Sequence, residues 1–467
     1  MNEPLAIEDS WAGLLGSRLF PRFVLLCFAV WLHAANSMLA ATTLPSAVSE
    51  LGGAHLISWA FTLYLLGSIL AGASAGLVSQ RFSLRAGFAA SAGLYGFGST
   101  VCALAWQMEI VLMGRLLQGL GGGSLLALAY VALARIFPSD LMPRLMAAVS
   151  VAWSVSAFCG PLIGGSFSTL GLWRFGYGAF AAQAMVFLAL ALSMLSKDTP
   201  RATSALPRIP VLRLCVLSVA ILCVSLAGAA VDPLRSPILC LFSLGLLWLF
   251  LRLDGTRAEN RMYPSVTLDL TSKTGVGLFM VFCAAGATMS FLVFGPILLE
   301  TLYGISPLQA GYVVALEAVA WGMAALIFSN TPARAEPALI LTGTACVALS
   351  SVCLAFAMPS GHLWLVVLCG AGQGAGFGMM HGFVVRRLVM SAPEAEKDVT
   401  ASSIPTTQQI SFALGAAAAG IVANAAGFAD GASQQAANNA AFWVFIAFAP
   451  LSLASIIAAW RLTRPDR

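Results

Sequence analysis

Long apolar runs separated by short polar segments dominate this chain. A helix needs about 20 apolar residues to cross a bilayer, and fourteen runs approach that length. The predicted spans are 22–44, 56–78, 87–106, 109–135, 145–167, 172–195, 211–231, 236–253, 275–299, 308–330, 337–357, 363–387, 402–427 and 440–460. The pattern predicts an all-α polytopic membrane protein with 14 transmembrane helices.

The basic residues between these runs indicate an orientation. Cytoplasmic loops are enriched in Lys and Arg. If both termini are cytoplasmic, the cytoplasmic segments hold 21 of the 24 basic residues. The other three are Arg115 inside a span and Arg174 and Arg235 on the far side. We therefore expect both termini to be cytoplasmic.

Two longer linkers, Lys197–Pro210 and Asp254–Lys273, flank a predicted helical hairpin at 211–253. Six spans precede the hairpin and six follow it, which indicates an internal duplication. In transporters with such repeats, the substrate site lies at the interface between the two halves. Apolar residues near the N-terminus suit either a short interfacial helix or a mobile tail. The expected division is a cytoplasmic N-terminal segment 1–21, an N-terminal six-helix bundle 22–196, a linker with a two-helix insert 197–274, a C-terminal six-helix bundle 275–461 and a cytoplasmic tail 462–467.

Composition excludes several classes of protein. The chain is 59% hydrophobic and only 9% charged, whereas about a quarter of a soluble protein is charged. Its net charge of +5 is spread between apolar runs, so no basic nucleic-acid-binding face is expected. The sequence contains no phosphate-binding loop, metal-ligand cluster or catalytic triad. We expect neither an enzyme nor a cofactor or metal.

Polar residues within the spans are the candidates for function. A charged residue at mid-membrane costs about 2.5 kcal/mol or more and usually faces a cavity and a partner. With a rise of about 1.5 Å per residue, Arg115 and Asn36 lie at similar depths. Gln118 follows Arg115 by three residues and lies on the same face of its helix. His33 precedes Asn36 by three residues and likewise shares a helix face with it. We predict a polar cluster of these four on the cavity side, the alternative being that Arg115 only ties helix ends to carbonyls.

Three further residues are predicted to line the substrate and proton pathway in the second half. Glu317 lies near the middle of its span, with Trp321 one turn later, and such a carboxyl is a candidate proton carrier. A structural glutamate bonded to a neighbouring helix is the alternative. Gln373 lies in a glycine-rich span. His381, near the inner end of the same span, is expected to anchor the membrane interface.

Aromatic side chains often line sites for drug-like or lipid-like molecules. Packing within or at the edge of the bundle is the alternative for each of them. The candidates for an aromatic wall are Trp31, Trp59, Trp153, Phe291 and Phe294.

Four motifs together resemble one family. They are Arg115-Leu-Leu-Gln118-Gly119-Leu-Gly121, Ser156-Ala-Phe-Cys-Gly160-Pro161-Leu-Ile-Gly164-Gly165, Trp173-Arg174, and Leu302-Tyr-Gly-Ile-Ser-Pro307-Leu-Gln-Ala-Gly311. Over nearly its whole length the chain resembles the major facilitator superfamily, specifically its fourteen-span drug:proton antiporter branch. The resemblance implies alternating access in a bacterial inner (plasma) membrane, a small-molecule substrate and protons. It also implies a conformational hinge at Gly160, Pro161, Gly164 and Gly165.

The chain departs from the family pattern in two places. The loop after span 2 reads Gly76-Leu-Val-Ser-Gln80-Arg81-Phe-Ser-Leu-Arg85, in which Gln80 replaces the aspartate of the family's cytoplasmic latch. Asn36 stands where many relatives carry a membrane aspartate. The resemblance therefore leaves the first half without its usual proton-carrying carboxylate.

These observations favour a proton-coupled exporter of an amphipathic organic molecule or drug, a multidrug-efflux antiporter. One alternative is a dedicated exporter or facilitator of one metabolite, with atypical or no proton coupling. This metabolite would be a siderophore or a lipid-like molecule, and an anionic one is included. Another is a non-transporting membrane sensor, against which the short loops argue. No nucleic-acid partner is expected, and a monomer is favoured.

Overall fold

A computed structural model describes residues 11–52, 56–195, 210–229, 232–257, 260–428 and 434–464. Within these ranges the fold is entirely helical. The helices are α1 (Trp11–Gly16), α2 (Phe20–Leu51), α3 (Ile57–Arg81), α4 (Leu84–Ala103), α5 (Met108–Ile136), α6 (Met142–Thr169), α7 (Trp173–Met194), α8 (Val211–Ala229), α9 (Arg235–Gly255), α10 (Lys273–Tyr303), α11 (Pro307–Phe328), α12 (Glu336–Ala357), α13 (Leu363–Ser391), α14 (Lys397–Ala425), α15 (Gln434–Ile446) and α16 (Ala449–Thr463).

Eleven helical stretches in the described residues are long and apolar enough to cross a membrane. They correspond to α3, α5 to α13, and α15 taken together with α16. The helices α2, α4 and α14 are not among these eleven. In α14 the reason is a run of hydroxyl and amide side chains over residues 400–411, which the helix buries against its neighbours.

The last predicted span, 440–460, is not one continuous helix. The helix α15 ends at Ile446, and α16 begins at Ala449 with Pro450 in its first turn. Proline has no N–H group and suits the first turn of a helix but not its interior. The stretch Gln434–Thr463, which contains both helices, is long and apolar enough to cross a membrane, so the predicted span contains a break.

At the N-terminus, the apolar segment forms the short helix α1. The indole Nε1 of Trp11 donates a hydrogen bond to Ser329 Oγ at 3.2 Å. This contact joins α1 to the end of α11, so the segment packs against the bundle.

The helices pack in two groups. In the first group, α3 and α4 pack against α5, α2 against α6, and α4 against α7; in the second, α11 and α12 pack against α13, and α10 against α14 and α16. The groups meet along α3 with α14 and along α6 with α11, while α8 and α9 pair beside α14. We call the end at which α2 begins and α3, α5 and α13 end the basic end, since it holds Arg81, Arg135 and Arg386.

Glycines allow the closest helix crossing of the first group. A methyl group added at Gly119 of α5 would collide with the carbonyl oxygen of Tyr64 on α3, and one at Gly123 would collide with that of Ser68. Small residues at such spacing let helix backbones approach closely. The two glycines therefore fix α5 against α3.

The second group repeats this crossing between α11 and α13. A methyl group at Gly374 would collide with the carbonyl oxygen of Glu317, and one at Gly378 with that of Trp321. The two crossings thus use the same glycine spacing, which is physical evidence of an internal repeat.

Candidate functional site

Arg115 is fully buried, with 0% of its side chain exposed, among α2, α3 and α5. Its Nη1 donates to Asn36 Oδ1 at 3.3 Å and to Gln118 Oε1 at 3.0 Å, and its Nε donates to the Ala60 carbonyl at 3.3 Å. The guanidinium also lies 4.2 Å from the centroid of the Tyr64 ring, a favourable cation–π geometry. The guanidinium is thus contacted by neutral groups, and none of these contacts is a carboxylate.

Two donors in this cluster have no hydrogen-bond partner among the described residues. They are Nη2 of Arg115 and Nδ2 of Asn36, and both are buried. A buried donor without a partner costs about 1–3 kcal/mol. The cluster is therefore suited to an incoming acceptor, such as a carbonyl or carboxylate oxygen or a water molecule.

His33 joins the same cluster through Tyr64. The Tyr64 hydroxyl lies 3.0 Å from His33 Nδ1 and donates to the His33 carbonyl at 3.1 Å. The imidazole also meets the Trp153 ring edge-on at 5.9 Å between centroids. The structure therefore brings His33, Asn36, Arg115 and Gln118 together and extends the cluster to α6, which contacts the second group.

Gln118 and Gln373 make matching contacts in the two groups. Gln118 Nε2 donates to Ser99 Oγ at 2.9 Å, and Gln373 Nε2 donates to Ser351 Oγ at 2.7 Å. Their carbonyl ends differ, because Gln118 Oε1 accepts from Arg115 whereas Gln373 Oε1 has no partner among the described residues. Gln373 is fully buried within its own group.

Glu317 lies partly exposed on α11, where its backbone abuts Gly374. Within the described residues its carboxyl makes no hydrogen bond or ion pair. One turn later, Trp321 has an indole Nε1 without a partner among those residues. A titratable group thus stands beside an aromatic ring and a free donor, all on the helix that meets α6.

His381, expected to anchor the membrane interface, contacts the first group. It is buried, and its Nε2 lies 3.3 Å from the Tyr130 hydroxyl on α5. Its ring meets the Trp321 ring at 5.9 Å and the Phe377 ring at 5.4 Å between centroids. The inner turn of α13 faces the first group rather than lipid, which the position of His381 along its span does not reveal.

The five aromatic candidates lie in separate surroundings. Trp153 contacts His33, whereas Trp31 donates its indole N–H to α7 at 2.9 Å. Phe291 is fully buried and fills the space beside a glycine of α13, and Phe294 packs against the segment after α14. Trp59 is partly exposed near the start of α3. They do not form one continuous wall.

The predicted hinge lies within α6, which is helical from Met142 to Thr169. A methyl group at Gly164 would collide with Thr42 on α2, so this glycine permits a close helix contact. Gly160, Pro161 and Gly165 belong to the same helix.

The predicted latch loop reaches the second group at the basic end. A methyl group at Gly76 would lie 2.8 Å from Val399 Cα on α14, and Gln80 Nε2 donates to the Ala395 carbonyl at 3.5 Å. Arg81 stacks on the neighbouring Phe82 ring, 5.3 Å from its centroid. Arg85 lies in the first turn of α4.

The strongest contacts between the groups were missed from the sequence. Arg135 at the end of α5 pairs with Asp398 of α14, with Nε 2.7 Å from Oδ1, and Arg386 Nη2 pairs with Asp140 Oδ1 at 2.8 Å. Asp398 is only 3% exposed. The sequence did offer one signal for these contacts. Both arginines lie near the ends of predicted spans at the same side of the membrane, where acidic residues of the loops also lie. In the described part of the chain, the ion pairs between the groups lie at the basic end, which is therefore closed.

Sequence comparison places these features in context. A sequence model described as "Major Facilitator Superfamily" matches residues 26–387. A probable multidrug-efflux transporter of Mycobacterium tuberculosis H37Rv is 30% identical over 482 residues, covering 100% of this chain and 99% of the relative. The multidrug efflux pump SdrM of Staphylococcus aureus is 23% identical, covering 76% of this chain and 79% of the relative.

Solved structures of similar fold cover almost the entire chain. The proton:xylose symporter XylE aligns with a TM-score of 0.67 at 15% identity, covering 96% of each chain. The human organic anion transporter MFSD10 aligns with a TM-score of 0.66 at 14% identity, covering 95% of this chain and 100% of the other. At such low identity these likenesses establish the fold alone.

Proposed function

Because this chain belongs to the Major Facilitator Superfamily, it is a membrane transporter and not an enzyme, and we propose that it exports amphipathic, drug-like molecules. The observation that carries this proposal is its end-to-end similarity to a mycobacterial protein named a probable multidrug-efflux transporter. Export by a secondary transporter needs a coupling ion and a gate. Both have candidates among the described residues.

Glu317 is the proposed proton carrier. Its carboxyl has no ion-pair partner among the described residues, and an apolar membrane helix disfavours an unpaired charge. A proton taken up from outside would neutralise it, and a cationic substrate would then displace that proton. The proposed substrate and proton pathway comprises His33, Asn36, Arg115, Gln118, Glu317, Trp321 and Gln373.

The gate at the basic end supports an alternating-access cycle. The Arg135–Asp398 and Arg386–Asp140 pairs hold the two groups together there, as expected for a state closed to the cytoplasm. We propose that breaking these pairs opens the inner side, with the glycine-rich part of α6 accommodating the change.

The proposed layout is that of the fourteen-span drug:proton branch. In it, α2, α4 and α14 also cross the membrane, α15 and α16 form one broken span, and both termini are cytoplasmic in a bacterial inner membrane. The proposed domains are bundles at 22–196 and 275–461 joined by a two-helix insert within 197–274. The protein is proposed to act as a monomer.

Transport by purified protein in proteoliposomes tests the function. With an imposed pH gradient, wild-type protein should move a lipophilic cation such as ethidium, and collapsing the gradient should stop it. Glu317→Gln should abolish gradient-driven transport while ethidium binding persists, since the side chain keeps its shape but cannot ionise. Glu109→Gln, at an exposed acid in the first turn of α5, is the matched control. Undiminished gradient-driven transport by Glu317→Gln would refute its role.

One observation favours a second candidate, a dedicated exporter of an anionic metabolite. The unpartnered donors of Arg115 and Asn36 are suited to an acceptor oxygen rather than to a cation. In a competition assay, anionic compounds would then displace a bound substrate better than cationic ones. Preferential displacement by cations would exclude this candidate.

A further inference from the structure

An apolar cavity separates the two-helix insert from the second group. It has a volume of about 410 Å³ and lies between α9, the segment 263–270 and α10. The helix α9 packs mainly against α8, so a gap remains between α9 and α10. At the back of the cavity, Thr407 Oγ1 donates to the Tyr263 hydroxyl at 3.3 Å. Trp248 and Phe279 stand on its two sides and are both exposed.

A basic pocket adjoins this cavity at the basic end. It has a volume of about 290 Å³ and is bordered by Lys273, Arg461 and Arg464, together with the hydroxyls of Thr271 and Ser272. Leu270 borders both the pocket and the cavity. No acidic side chain of the described residues borders this pocket. A concentration of positive charge therefore stands directly beside an apolar space.

Arg461 and Arg464 differ from most other arginines at the same end. Arg213, Arg261 and Arg387 each pair with a carboxylate, as do the arginines of the gate. Arg461 and Arg464 are exposed, and the Arg464 guanidinium lies 3.4 Å from the Trp460 ring centroid. Their charge is thus available to an external anion at the basic end.

A second polar pocket, of about 490 Å³, adjoins the cavity on the side of α9. It contains Arg252, whose guanidinium lies 5.1 Å from the Trp248 ring centroid, but it also contains Asp269. The acid offsets the single arginine. The pocket beside Lys273, Arg461 and Arg464 is therefore the better place for a negative group.

We propose that the cavity and the basic pocket together bind one anionic glycerophospholipid. An acyl chain lies between α9 and α10, and the phosphate contacts Arg461, Arg464 and Lys273. Basic pockets between membrane helices on the cytoplasmic side recognise anionic lipid headgroups in this way. The bound chain would rest against α14 beside Thr407, next to the residues through which α14 contacts α3. This lipid site is separate from the proposed transport pathway and does not depend on it.

Quenching of Trp248 fluorescence by lipids with brominated acyl chains tests this site. The full-length protein in neutral detergent is titrated with brominated phosphatidylglycerol or brominated phosphatidylcholine. The chain has eleven tryptophans, so the difference between wild type and Trp248→Phe isolates the relevant signal. Half-maximal quenching should need at least about fivefold less phosphatidylglycerol than phosphatidylcholine, since each nearby cation contributes roughly 1 kcal/mol.

Two surface variants test the headgroup contact without disturbing the core. Arg461→Gln and Arg464→Gln should each reduce the preference for phosphatidylglycerol severalfold, whereas Arg334→Gln, an exposed arginine elsewhere at the basic end, should leave it unchanged. Water-soluble glycerol phosphate should not displace the lipid, because it has no acyl chain. Equal quenching by both lipids, an unchanged preference in both variants, or displacement by glycerol phosphate would overturn the proposal.

Discussion

The crossing of α3 with α5 and that of α11 with α13 share their backbone packing but differ in charge. In both crossings, two glycines four residues apart leave room for backbone carbonyl groups of the neighbouring helix. In both, the glutamine just before the first glycine donates a hydrogen bond to a serine. Three residues before that glutamine, the first crossing carries Arg115 and the second carries Gly370. The ring of Phe291 fills the space at Gly370.

The residues facing the glycines also differ. Tyr64 in the first crossing lies over the guanidinium of Arg115, whereas Glu317 occupies the matching place in the second. A buried cation fixed by neutral groups thus stands in one half, and a carboxyl without a partner among the described residues stands in the other. The two halves thus share their helix packing but differ in their charged groups, with Arg115 in the first half and Glu317 in the second.

Removing the cation should have the largest effect. Arg115→Met leaves the acceptor oxygen of Asn36 without its donor and that of Gln118 with only the Cys102 thiol, at 3.8 Å, and such poorly paired buried groups are costly. We expect the initial rate of substrate efflux from proteoliposomes to fall at least tenfold, equivalent to about 1.4 kcal/mol. Arg115→Lys keeps the charge but not the planar fork of donors, so only partial recovery is expected.

The control for this loss is Arg334→Met, which removes an exposed arginine at the basic end. Its efflux rate should match that of the wild type. If Arg115→Met also transports at the wild-type rate, the buried cation has no part in transport and the division of chemistry described above fails.

Closing the glycine contacts should have an intermediate effect in both halves. Gly119→Ala and Gly374→Ala each place a methyl group against a backbone carbonyl, and overpacking typically costs about 1–3 kcal/mol. Thermal unfolding of the purified protein should therefore shift to lower temperature for both variants. Gly93→Ala is the control, because no atom lies within 4 Å of the added methyl group. If Gly119→Ala had the same melting temperature as Gly93→Ala, the close crossing of α3 and α5 would be contradicted.

The smallest expected effect is the difference in stability between variants at the two glutamines. Gln118→Leu removes contacts to both Arg115 and Ser99 and should cost about 1–3 kcal/mol, as expected when buried polar partners are left unpaired. Gln373→Leu removes only the contact to Ser351, together with an acceptor that already lacks a partner in the described residues. Its melting temperature should fall less. Equal losses would show that the two halves do not differ at this position.

Hydrophobic periodicity predicted helices at the apolar runs because each apolar segment must satisfy its backbone internally in lipid. It did not reveal the break before Pro450. It also did not show that the polar residues of α14 are buried, because tertiary contacts with other helices bury them. Eleven stretches in the described residues, rather than fourteen, meet the criteria of length and apolarity.

Depth along the helices was sufficient to expect Asn36 beside Arg115, since both positions could be counted from a membrane boundary. Contacts between the halves could not be derived in this way. The Arg135–Asp398 pair and the contact of His381 with Tyr130 join residues about 250 positions apart, and only the packing of α14 and α13 against the first group brings them together. The burial of Phe291 could not be derived for a similar reason, because the space it fills is created by a glycine on another helix.

The central claim is that substrate and proton compete at Glu317, and proton release on substrate binding tests it most directly. Ethidium is added to purified protein in weakly buffered detergent solution containing a pH indicator. We expect wild type and Glu109→Gln to release protons as ethidium binds, and Glu317→Gln to bind ethidium without releasing them. Undiminished proton release from Glu317→Gln would contradict the claim.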